Sequence, residues 1–174
     1  MSALLALRDV SVDYGPVSAV RDVSLEVSEG EIFGLVGESG CGKTTLALAV
    51  MGLLPRLAQV QGRIDFQGED VLALPEAARR RLRGDRISMV FQDPEAALDP
   101  AFAVGEQVAE TIRAHRPVSG REARRRATQL LTEVGIPAAE RRYGDPPHRL
   151  SGGMQQRVVI ATALANEPAL LVAD

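Results

Sequence analysis

The sequence predicts an α/β fold, and three observations carry that prediction. Its first third alternates apolar and polar residues with period two, a glycine-rich turn at 37–42 stands between an apolar run and a helix-like one, and helical periodicity dominates from about residue 100 onward. With 174 residues, 45% of them hydrophobic, the chain can bury one sizeable core. It shows no internal repeat and no low-complexity tract.

The alternation in "ALLALRDVSVDYG" and "AVRDVSLEVSEGEIFGLVG" predicts two or three strands with a turn at Ser28-Glu29-Gly30, the last strand entering the glycine-rich turn. In "GLVGESGCGKTTLALAVMGLL", Gly37, Gly42, Lys43 and Thr44 fit G-x-x-x-x-G-K-[ST], a phosphate-binding loop between a strand and a helix. Glycines at 37, 40 and 42 permit positive-φ turns that aim backbone N–H groups at α- and β-phosphates. Lys43 is the only lysine beside nineteen arginines. A compact ammonium reaches between β- and γ-phosphates where a planar guanidinium fits poorly. The Thr44 hydroxyl is placed to sit on Mg²⁺, and Leu46, Leu48, Val50, Leu53 and Leu54 give the helix apolar faces to bury.

Further along, "GRIDFQGEDVL" predicts a strand pair, Arg86 to Gln92 another strand, and "DPEAALDP" an exposed turn. Val104, Val108 and Ile112 recur at helical spacing, and "GREARRRATQLLTEVG" ends in a C-cap at Gly135 before Pro137. Ser151 N-caps the helix "SGGMQQRVVIATALANE", Pro168 follows its end, and "ALLVAD" is a short buried strand closing on a carboxylate.

Composition removes several function classes. The formal net charge is −3, and the arginine clusters at 79–83 and 124–126 lack interleaved aromatics, so they read as solvated helix faces and nucleic acid is not an expected partner. A single cysteine excludes an internal disulfide, and the N-terminus lacks the layout of a secretory signal, which predicts a reducing cytoplasm. Cys41, inside the loop, reads as a small tolerated residue with no catalytic role. The longest apolar run, 46–54, is far short of the roughly 20 residues of a membrane-spanning helix. Any membrane link therefore runs through a partner.

"LSGGMQQR", 150–157, is a second glycine turn opening a helix, and its free N–H groups with the Ser151 hydroxyl form another anion site. With "GESGCGKTT", "VFQDP" and "LLVAD" in this order, the chain resembles the ATP-binding subunit of ABC transporters over its whole length. The resemblance implies a P-loop NTPase with an N-terminal antiparallel β subdomain and an inserted helical subdomain, incomplete at the C-terminus. It divides a single domain, 1–174, into a β subdomain with phosphate-loop core (1–99), a helical subdomain (100–150), and a signature helix with Walker B strand (151–174). It also implies a head-to-tail dimer with a second ATPase subunit, ATP lying between one phosphate loop and the other signature. Under it, Tyr14 and Val20 flank adenine, while Gly37, Glu38, Ser39, Gly40, Cys41, Gly42, Lys43, Thr44 and Thr45 hold phosphates. Ser151, Gly152, Gly153 and Gln155 meet the partner's nucleotide. Lys43 and Gln92 are catalytic, and Thr44, Gln92 and Asp174 hold Mg²⁺.

"VFQDPEAALDP", "VGEQVAE" and "PPHRLSGGMQQRVVIATALANEPALLVAD" resemble the dipeptide, oligopeptide and nickel importers in particular, with His148 a turn residue of that subfamily. That implies a peripheral subunit on the cytoplasmic face of the inner membrane, working with permease subunits and, indirectly, a substrate-binding protein. A non-transport ABC ATPase acting on DNA or ribosomes is the alternative. The 108 positions between Lys43 and Ser151, without sustained heptads, leave no room for the long coiled coils of DNA-repair relatives. In the family a glutamate follows the Walker B aspartate and a histidine comes later; neither is among these residues. The chain is accordingly expected to be truncated, to bind ATP and to turn it over little or not at all.

Overall fold

The computed structural model describes residues 3–174. The chain forms two compact units, one comprising residues up to Arg80 together with Asp174, the other Arg81–Ala173.

The first unit is built on β1 (Leu5–Tyr14), which pairs antiparallel with both β2 (Val17–Val27) and β3 (Ala58–Phe66); β4 (Glu69–Asp70) adds to β3, giving the order β2-β1-β3-β4. Leu7, Val10 and Val12 are buried along β1, an irregularity at Asp9 keeping Leu7 and Val10 on one face although they are three apart, with Ile64 and Phe66 beside them on β3. The tetrapeptide Arg-Asp-Val-Ser occurs twice, at 8–11 and 21–24. In the paired strands its copies bond reciprocally: Asp9 N–H donates to Ser24 Oγ and Asp22 N–H to Ser11 Oγ, each at 2.9 Å. Both aspartates have positive φ, 50° and 46°, and the register shifts around them. Asp is among the few non-glycine residues that tolerate this region, so each copy makes its own bulge. Gly62 of β3 lies against this kink, where a Cβ would meet the Arg8 and Asp9 carbonyls.

Residues 43–51 form α1 (Lys43–Met51), closed by Gly52 in the left-handed conformation. The predicted strand leading into it does not form. Among the described residues, 31–38 pair with no strand, and Ile32 and Val36 are 100% and 94% exposed. Apolar residues on both faces mark a strand meant to be covered on both sides, but periodicity reports the appetite for burial, not the hydrogen-bond partner.

α2 (Glu76–Leu82) crosses into the second unit. There β5 (Ile87–Val90) and β6 (Leu170–Ala173) form a parallel pair. Between them run α3 (Pro94–Ala97), α4 (Val104–His115), α5 (Gly120–Glu133), α6 (Ala139–Arg142) and α7 (Gly152–Leu164). α3 occupies the segment predicted as a turn: Asp93 Oδ1 accepts the N–H groups of Glu95 and Ala96, and Pro94 suits a first helical position. The core joins Val104, Val108 and Ile112 of α4, Ala123, Ala127 and Leu131 of α5, and Val158 and Ala161 of α7, all essentially inaccessible. Asn166 ties the end of α7 into this unit, its amide donating to the Gly84 and Thr111 carbonyls at 2.8 and 3.0 Å. Among the described residues no helix is long and apolar enough to cross a membrane.

Candidate functional site

In the first unit the loop 37–42 folds around Lys43. The Lys43 ammonium donates to the Gly37 and Glu38 carbonyls at 2.9 and 2.7 Å and lies 3.6 Å from Cys41 Sγ. Gly40 and Gly42 take φ of 81° and 96°. At Gly42 a Cβ would also meet the Ala19 carbonyl and lie 3.1 Å from Val20 Cγ2, so the loop closes against β2 by direct backbone approach. Gly37 is the close neighbour of Cys41, whose Sγ a Cβ there would approach to 2.6 Å. Among the described residues no side chain caps α1, and its first turn carries no acid.

The Thr44 hydroxyl donates to the Asp174 carboxylate, at 3.0 Å from Oδ1 and 2.9 Å from Oδ2. Among the described residues no cluster of three or more His, Cys, Asp or Glu could cage a metal. One hydroxyl and one carboxylate fit Mg²⁺, which keeps waters and takes substrate phosphate oxygens rather than a full set of protein ligands.

Tyr14, half-buried, ends β1 opposite Val17, which is 61% exposed. Val20, expected beside the base, is instead 6% exposed and supports Gly42 from below. A register irregularity lies between them, so Val17 opposite Tyr14 and Val20 opposite Val12 fall on the same face of the sheet and differ in burial rather than in facing. Val17, opposite Tyr14 across the strand pair, is the exposed apolar neighbour of that ring.

In the second unit Gln92 lies two residues beyond the end of β5 and is exposed, beside the 40% exposed Phe91. Ser151 N-caps α7, its Oγ accepting from Met154 N–H at 3.4 Å. Gly152 and Gly153 occupy the first turn, exposed, with ordinary φ, and a Cβ on either would meet nothing within 4 Å. Glycine in a helix costs about 1 kcal/mol relative to alanine, and neither conformation nor packing within this chain requires it. Gln155, expected to face a nucleotide, is 7% exposed; its amide nitrogen donates inward to the Pro147 and Leu150 carbonyls at 2.9 and 3.4 Å. One helical turn after the N-cap, its side chain points back under the loop that precedes the helix. It therefore holds the turn that presents Ser151.

The chain is similar to known proteins in sequence and in fold. A family model described as ABC transporter matches residues 20–174. The oligopeptide transport ATP-binding protein OppD of Mycobacterium tuberculosis is 51% identical over 179 residues, covering 100% of this chain and 29% of that protein. The dipeptide transport ATP-binding protein DppD of Bacillus subtilis is 43% identical, covering 100% and 54%. The chain thus spans between about a third and half of these curated relatives. Among solved structures, the dimeric post-hydrolysis state of the ATP-binding cassette MJ0796 bound to ADP and Pi superposes with a TM-score of 0.85 at 31% identity, over 98% of this chain and 73% of that one. The cbiO1 protein of Clostridium perfringens, part of the ABC transporter complex cbiONQ, superposes with a TM-score of 0.79 at 28% identity, over 100% and 66%.

Proposed function

Because the chain belongs to the ABC transporter family, we propose that it is the ATP-binding part of a subunit that energises uptake of di- or oligopeptides through membrane-embedded permease subunits. The observation that carries the reading is Gly152-Gly153, two glycines at an exposed helix N-terminus that nothing inside the chain explains. A phosphate approaching from a second subunit explains them.

In this reading the ATP phosphates lie in the loop 37–42 against the α1 N–H groups, with the Lys43 ammonium between β- and γ-phosphates. Tyr14, with Val17 beside it, stacks on adenine. Thr44 and Asp174 would hold the accompanying Mg²⁺, which would neutralise charge on the phosphate oxygens. Ser151 and the first turn of the partner's α7 close over the γ-phosphate, so that ATP joins two subunits head to tail. The peptide cargo follows from what the relatives' names say they transport, and a peripheral position on the cytoplasmic face of the membrane, with an external binding protein delivering cargo, extends the same reading. Produced alone, these 174 residues are expected to bind ATP with little turnover, since a glutamate following the Walker B aspartate is not among them.

The test combines nucleotide titration with partner dependence. Lys43→Ala should weaken ATP binding at least tenfold, and the chain should co-purify with peptide-permease subunits and not with DNA or ribosomes. Unchanged ATP affinity in that variant, or retention on nucleic acid alone, sinks the reading.

A further inference from the structure

Arg157, last residue of the second glycine motif, takes no part in the site as described. It is exposed, yet its Nη1 donates to two backbone carbonyls, Val134 at 3.1 Å and Gly135 at 2.8 Å. Those carbonyls close the C-terminus of α5. That helix ends in a Schellman turn: Gly135, with φ of 80°, donates to Thr132 O at 2.9 Å and Ile136 to Leu131 O at 2.9 Å, with Ile136 and Leu131 both buried. The last carbonyls of a helix carry partial negative charge, and a guanidinium there is favourably placed. Gly135 is doubly constrained, because a Cβ would run into Arg157 Nη1 in addition to the positive φ.

α7 needs such a tie. Its apolar side chains, including Met154, Val158, Val159, Ile160, Ala161 and Ala163, lie on most of its circumference rather than along one stripe, so burial alone sets its rotation and slide only weakly. The two Arg157 bonds fix both against α5. Arg157 lies six residues, roughly 9 Å of helix rise, from Ser151. We infer that Arg157 is a positioning residue that, by anchoring α7 to the C-terminal turn of α5, sets the orientation of the Ser151–Gly153 turn for the phosphate of a second subunit's nucleotide. This rests on the reading that α7 meets such a nucleotide.

The experiment compares the wild-type chain with Arg157→Gln and with Arg157→Lys, which keeps a cationic donor. Hydrogen exchange at amides 155–158 should be at least tenfold faster in R157Q, intermediate in R157K, and unchanged in α1 and α4. Equal exchange in wild type and R157Q, or a uniform acceleration across 81–173, overturns the inference. Sedimentation with ATP and MgCl₂ gives the functional readout. R157Q should self-associate at least tenfold more weakly than wild type while its ATP affinity, read by titration, stays within twofold. A wild-type chain that remains monomeric with ATP overturns the two-subunit reading and the functional half of this inference with it. A dimerising wild type matched by R157Q overturns the inference alone.

Discussion

The Thr44 hydroxyl donates to both oxygens of the Asp174 carboxylate, at 3.0 and 2.9 Å, across 130 positions of sequence. The first helical turn after the phosphate loop and the residue after β6 thereby present oxygen ligands to one point. A hydroxyl bonded to a carboxylate is a reversible arrangement, since such a bond contributes about 1.5–3 kcal/mol net. A divalent cation that both oxygens can approach would displace it readily.

Asp174→Asn is therefore expected to lower affinity for ATP about tenfold when Mg²⁺ is present, the equivalent of about 1.4 kcal/mol. In EDTA the variant should bind ATP as well as the wild type or better, because a carboxylate facing phosphates repels them when no cation intervenes. Titrations in the two buffers check this. An equal loss in both would mean that Asp174 shapes the loop and does not act through a metal.

Tyr143 gives a pH signature for the second unit. Its side chain is 2% exposed and its hydroxyl donates to Glu106 Oε1 at 2.9 Å; burial first, and then that bond, push the phenol up to about 12. The folded chain holds this proton more tightly than the unfolded chain, whose phenol titrates near 10. The stabilisation is thus complete below about pH 10 and is lost as pH rises from there toward about 12. Urea unfolding followed from pH 8 to 11.5 should show the decline. Tyr143→Phe should flatten this part of the profile while lowering stability at pH 8 by about 1 kcal/mol.

Local patterns in the sequence were enough to place most of these groups. The phosphate loop and the Ser151 cap are contiguous motifs whose geometry depends on near neighbours, and α4, α5 and α7 follow from helical spacing and cap residues. What escaped depends on residues far apart in sequence. Ile32, Phe33, Leu35 and Val36 look like a strand, yet a strand exists only where another supplies its hydrogen bonds. The burial of Val20 depends on a register irregularity in the β1–β2 pair, and Gln155 turned inward because the carbonyls of the preceding loop needed donors. The repeated Arg-Asp-Val-Ser was visible but too short to count as a repeat; only antiparallel pairing reveals that each copy bonds the other.

Gly105, on the first turn of α4, tests packing of that unit directly. A Cβ there would overlap the Tyr143 ring, which Arg124 covers from 4.3 Å. Gly105→Ala should therefore destabilise by about 1–3 kcal/mol, the range for overpacking a filled core, despite alanine's better helix propensity. Thermal melts of the variant measure it. A raised Tm would show that the ring can move aside at no cost.

The same substitution at Gly153 should act in the opposite sense on folding. Outside its chain neighbours and the backbone of its own helix, no described atom lies within 4 Å of the position its Cβ would take, and its φ is not positive, so Gly153→Ala should leave stability unchanged or raise it by up to about 1 kcal/mol. If the glycine is kept so that a phosphate can approach the α7 N–H groups, the added methyl must obstruct that approach. ATP-dependent self-association should then fall at least tenfold, while ATP binding to the loop of the isolated chain, some 110 positions earlier in sequence, should not change. A variant that is both more stable and as competent to self-associate would remove the reason for assigning this helix N-terminus to a nucleotide.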